Sequence, residues 1–144
     1  MRTLILLAAS FAAATLAQTP PLDAASLERW VEGYGNAWER RDANAAMALF
    51  TPDASYRETP YAEPFLGREA IGRYWASVTE DQRNVHFEAR VVAIDDDIGV
   101  VEWSATFTSV STGATVGLDG VFVLEFEGGL CSELREWWFV RPGA

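Results

Sequence analysis

Residues 48–75 read ALFTPDASYRETPYAEPFLGREAIGRYW and carry two changes of structural period. Residues 54–58 form a short extended run, and Pro60 stops it because proline cannot donate to a sheet ladder. Gly67 then opens a helix whose Ala70, Ile71, Tyr74 and Trp75 fall on one inward face. Between strand and helix, Glu58 and Glu63 stand among Tyr56, Tyr61, Phe65 and two prolines. A carboxylate surrounded by apolar groups is costly. Glu58 is therefore either a loop charge, solvated or paired with Arg57 or Arg68, or a carboxylate held at a pocket to move a proton.

Upstream the pattern is helical. Leu27, Trp30, Val31, Tyr34 and Trp38 repeat at three- and four-residue spacing from a start near Asp23 or Ser26. Gly33 and Gly35 flank Tyr34; glycine costs helix stability, so room around the tyrosine is the expected reason. A second, short helix spans 44–50, and Pro52 ends it. Downstream of Val85 the period becomes two, which predicts strands over 85–95, 98–109, 115–127 and 130–140. Asp95-Asp96-Asp97, Ser111-Thr112-Gly113 and Gly128-Gly129 supply turn chemistry between them. Three helices followed by a meander predict an α+β fold: three N-terminal helices packed on a curved antiparallel sheet.

Parity sorts the strand faces. Val101, Trp103, Ala105 and Phe107 share one face; Val116, Leu118, Phe122, Leu124 and Phe126 share another, with Gly120 among them. In the last strand Leu134, Glu136 and Trp138 lie opposite Cys131, Glu133, Arg135, Trp137 and Phe139. Tryptophan on both faces leads us to expect one face under the helices and the other in a homodimer.

The 144 residues suit one domain, and 49% hydrophobic content suffices for a core. The first seventeen residues read as a secretory signal peptide: Arg2, then an apolar run from Leu4 to Ala17 too short for a membrane span. Cleavage after Ala17 or after Ala14 would export the chain to the periplasm or beyond, with residues 18–25 as a flexible lead-in and 26–141 as the domain. A lone cysteine, Cys131, can form no internal disulfide and reads as a buried thiol. The net charge of −10 argues against a nucleic-acid partner. All eleven basic residues are arginine, which excludes a lysine Schiff base. One histidine, His86, one cysteine and scattered carboxylates make no metal-ligand set. The aspartate triplet reads as a solvated turn.

The segments ALFTPDASY, EPFLGREAIGRYW and the closing LREWWF resemble the SnoaL-like family of the NTF2-like cone fold, which includes ketosteroid isomerases and polyketide cyclases. That resemblance implies a cone cavity, no cofactor and a small apolar ligand. Ketosteroid isomerases use a pocket carboxylate as base, with a tyrosine and a protonated aspartate as oxyanion donors. Registered on that family, Glu58 falls on the base and Tyr34 on the donor tyrosine. Phe50 and Trp75 fall on supporting tyrosines, and Phe122 replaces the protonated aspartate. Glu136 and Trp138 are expected in the same cavity, Glu136 as a second acid or as filling. The implied chemistry is proton transfer beside a carbonyl, by an isomerase, cyclase or dehydratase; a non-catalytic binder or scaffold is the alternative. Such motifs specify a fold more firmly than a function.

Overall fold

The computed structural model describes residues 21–142; the expected signal peptide lies outside these residues. Helix α1 spans Ala24–Arg40, α2 Ala43–Met47 and α3 Arg68–Glu80. The strands are β1 Phe50–Arg57, β2 Phe65–Leu66, β3 Gln82–Asp95, β4 Ile98–Ser109, β5 Thr115–Glu127 and β6 Leu130–Val140. Six strands form one open, curved sheet in the order β2-β1-β6-β5-β4-β3, with the helices against its inner face. The α+β cone expected from the sequence is the fold observed. Among the described residues, no helix is long and apolar enough to cross a membrane.

Helix α1 starts where a capping box closes: the Asp23 carboxylate accepts from the Ser26 amide at 2.7 Å, and the Ser26 side chain bonds back to the Asp23 amide. Residues 24 and 25 are thus helical rather than part of a lead-in. The buried stripe is Leu27, Trp30, Val31, Tyr34, Ala37 and Trp38. Arg41 ends the helix in the left-handed region at φ 55°.

The glycines of α1 make room, but not for Tyr34. A Cβ on Gly35 would stand 2.5 Å from the Phe87 ring, and one on Gly33 would press the Leu49 methyl at 3.3 Å. The helix therefore approaches β3 closely at Phe87.

Three sequence expectations need correction. The second helix ends at Met47, and β1 begins at Phe50 and runs through Pro52. Proline is tolerated there because residues 51–54 make no register partners with β6; a break separates the Phe50 and Ser55 pairs. The sheet is not wholly antiparallel, since β1 pairs with β6 in parallel. Cys131 sits fully buried on the inner side, not with Trp137 and Phe139. The cause is a bulge: Glu125 pairs with Glu133 but Phe126 with Cys131, so Ser132 is the extra residue and parity flips.

The two faces of β6 end in different surroundings. Trp138 is half-buried inside the cone, while Trp137, Val121 and Phe139 are exposed on the outer face, Phe139 by 75%. Outer charges pair across strands there: Arg90 with Glu102, and Arg141 with Asp119 at 2.6 Å.

Candidate functional site: an aromatic cavity with two glutamates

The inner face of the sheet and helices α1 and α3 border a cavity of about 240 Å³. That volume falls below the roughly 300–1,000 Å³ of drug-sized ligand sites. Tyr34 and Trp38 reach it from α1, Tyr56 from β1, Tyr74 and Trp75 from α3, Trp103 and Phe107 from β4, and Trp138 from β6. Val78, Val116, Leu118 and Val140 complete the apolar wall, and Glu58, Gln82 and Glu136 are its polar members.

The rings hold one another. Tyr34 stacks on Trp30 at 5.3 Å and meets Trp75 and Phe122 edge-on, each at 5.1 Å. Trp103 stacks on Phe122 at 5.2 Å. Gly120 pairs directly with Trp103, and a Cβ there would come within 2.4 Å of its indole. The glycine lets the Trp103 ring lie close against β5.

A hydrogen-bonded chain runs through the wall. Tyr56 donates its hydroxyl to Glu136 Oε2 at 2.8 Å, and the Tyr34 and Tyr56 hydroxyl oxygens are 3.1 Å apart. With the Tyr56 hydrogen committed to Glu136, the Tyr34 hydroxyl is the donor of the second bond. Tyr74 donates separately to Glu58 Oε2 at 3.0 Å. Trp38 Nε1 donates to Gln82 Oε1 at 2.7 Å, which fixes that indole. The N–H groups of Trp75 and Trp103 are buried without an acceptor.

Electrostatics separates the two glutamates. Glu136 is 5% exposed, and burial pushes its carboxyl up to about 8. The hydrogen bond from Tyr56 opposes the rise, and the negative charge of Glu58 adds to it. Burial, followed by the field of Glu136, also raises Tyr34, Tyr56 and Tyr74, so the tyrosines stay protonated. At neutral pH the buried carboxyl is mostly a neutral acid. One of its oxygens accepts from Tyr56, and the other is available for the proton.

The structure brings together five of the seven residues singled out from the sequence: Tyr34, Glu58, Trp75, Glu136 and Trp138 all border the cavity. Phe50 and Phe122 do not. Both are completely buried, Phe50 against Trp30 and Tyr56, and Phe122 against Tyr34 and Trp103. They support the wall from behind. Glu58 pairs with neither arginine considered for it: Arg57 donates to the Ala62 carbonyl at 2.9 Å, and Arg68 donates to the Phe50 carbonyl. Tyr61 is 99% exposed and takes no part. His86 lies on the outer surface between Glu39 and Glu88.

Tyr56 and Tyr74, which hold the two carboxylates, were not assigned these roles from the sequence. The available signals were the helical spacing of Tyr74 with Ile71 and Val78, and the even parity of Tyr56 with Ala54. Among the described residues, no group of three or more His, Cys, Asp or Glu side chains is placed to hold a metal.

Solved structures share this architecture. A Catenulispora acidiphila protein of ketosteroid isomerase-like fold, solved in complex with trimethylamine, is 19% identical; the match covers 75% of this chain and 83% of that one, with a TM-score of 0.68. The epoxide hydrolase/cyclase-like enzyme SalBIII, described in pyran ring formation in salinomycin, is 21% identical over 81% of this chain and 93% of its own, with a TM-score of 0.71. TsrD from Streptomyces laurentii is 16% identical over 81% and 90%, with a TM-score of 0.69. At these identities the likeness concerns the fold. No curated protein matches the chain in sequence. The family model for the SnoaL-like domain matches residues 27–134, from the start of α1 to the middle of β6. The chain belongs to the SnoaL-like family.

Proposed function

We propose that the protein binds a small, largely apolar molecule in the cone cavity. The observation that carries this reading is the cavity of about 240 Å³, walled by aromatic and aliphatic side chains around two glutamates. Apolar cavities with a few convergent polar groups are the default small-molecule sites. Its size favours a guest of one or two rings or a short branched chain over a fused steroid skeleton.

The glutamate pair supports a second reading, cofactor-free proton transfer beside a carbonyl. Two carboxyls bordering one space, one of them held as an acid by burial, can act as base and acid. Glu58, steadied by Tyr74, would remove a proton from carbon. The electron pair would move to the carbonyl oxygen, and the neutral Glu136 would supply the proton that oxygen needs. Glu136 thus takes the donor role left open by Phe122, while the Tyr34 hydroxyl, committed to Tyr56, holds the acid in place.

Glu58→Gln separates the two readings, because it keeps the shape and the bond from Tyr74 but removes the base. The proton-transfer reading expects a panel of small enolisable ketones to contain a substrate whose turnover falls by roughly 10²-fold or more in the variant. Binding of a guest with no turnover by either protein would leave the site as a binding cavity alone.

A further inference from the structure

We propose that the guest of this cavity is a small organic cation, a methylated or otherwise poorly hydrated ammonium, and that it is bound by ring faces and by Glu136. The inference rests on the cavity being the ligand site, and it assigns the charge of the ligand.

Three features carry it. Among the described residues no arginine or histidine borders the cavity, and the chain contains no lysine. The wall therefore offers no cationic side chain to pair with an anionic guest. Eight of the fifteen bordering residues are aromatic, among them Trp38, Trp75, Trp103 and Trp138. Ring faces attract a cation, tryptophan most strongly, and the attraction grows when water is excluded. Finally, among the described residues the fold buries Glu136 with no cationic side chain at the cavity and with Glu58 nearby, so its carboxyl is kept neutral by its proton unless a counter-charge enters. An ammonium in the lumen would be that counter-charge.

The groups facing Glu136 are Tyr56 from β1, Tyr34 from α1, Tyr74 from α3 and Glu58 beyond β1. The tyrosines stay protonated, so the change in charge within the cavity near neutral pH belongs to Glu136. An ammonium prefers the ionised Glu136, and its binding must then release a proton. Affinity for a cation consequently rises with pH until Glu136 is ionised near pH 8, while affinity for a neutral guest is flat or falls.

The test uses a matched pair: choline, and dimethylbutanol, the isostere in which carbon replaces the charged nitrogen. Binding to the whole protein is followed by calorimetry and by quenching of tryptophan fluorescence. Choline is expected to bind at least tenfold more tightly than the alcohol at about pH 9, and its affinity to rise tenfold or more between about pH 6 and about pH 9. In Glu136→Gln the pH dependence should vanish. Should that variant fail to fold, Glu58→Gln serves instead, because loss of the Glu58 charge moves the midpoint to lower pH. If the alcohol binds as well as choline at every pH, the cation inference is overturned and the cavity reading stands. The buried N–H groups of Trp75 and Trp103 would then point toward a neutral guest bearing an acceptor. If neither compound binds at roughly millimolar concentrations, both the inference and the cavity reading fall.

Discussion

Glu136 is a buried carboxyl that accepts from the Tyr56 hydroxyl and lies in the field of Glu58, and its protonation is linked to stability. Below the unfolded value near 4.5, folded and unfolded chains both carry its proton, and the contribution of the site is fully present. Above that value the unfolded chain releases the proton while the folded one retains it until about 8, so stability is lost as pH rises through this window. Relative to Glu136→Gln, the natural protein should lose on the order of a few kcal/mol between those limits. Thermal denaturation of both proteins across the range checks this; a gap in Tm that does not change with pH would mean that Glu136 is ionised throughout. Tyr56→Phe removes the hydrogen bond that favours the charged form, so the Glu136 midpoint should move above 8, at a cost of about 1–3 kcal/mol in urea unfolding. Tyr34→Phe should cost less, since Tyr56 keeps its acceptor. That Glu136 faces inward is readable from its parity with Leu134 and Trp138. Its bond to Tyr56 is not, because it joins residues 80 apart in sequence through the parallel β1–β6 pairing.

Among the elements, the long ones were legible. The boundaries expected for β4, β5 and β6 coincide with those observed, because uninterrupted alternation between good turns leaves a strand little choice. The short ones were not. Helix α2 has five residues and gains its stability from the Asp42 cap, whose carboxylate accepts from the Ala45 amide at 3.0 Å, and from packing against α3. Helical periodicity has too few residues there to show where Phe50 leaves the helix for β1. The Ser132 bulge was likewise hidden, since an extra residue in one strand becomes visible only against its partner. Two substitutions test the elements. Asp23→Ala should cost about 1 kcal/mol by opening the capping box of α1. Gly120→Ala should cost more, about 1–3 kcal/mol, because its methyl would meet both the Trp103 indole and the Trp137 carbonyl, and the carbonyl belongs to the ladder and cannot move aside. Equal midpoints for Gly120→Ala and the natural protein in urea would show that Trp103 does not lie across this position.

For the molecule as a whole, the cone is what sets two glutamates apart. Parallel pairing of β6 with β1 places Glu136 at the Tyr56 hydroxyl, while the loop after β1 leaves Glu58 at the Tyr74 hydroxyl on α3. Burial then holds the Glu136 carboxyl neutral in a space walled by aromatic rings that Glu58 also borders. The composition was enough to exclude lysine chemistry and to disfavour nucleic acid, and the segment patterns were enough to indicate the cone. The protonation of Glu136 depends on its burial among residues distant in sequence, which no pattern of residue types encodes. The most direct measurement is a carbon-13 NMR titration of protein labelled at the glutamate side-chain carboxyls, compared with Glu136→Gln. One resonance should titrate near pH 8 and be missing from the variant. If every glutamate titrates in the ordinary carboxylate range near 4 instead, Glu136 is not held as an acid, and the account of the cavity as a paired acid–base site is wrong.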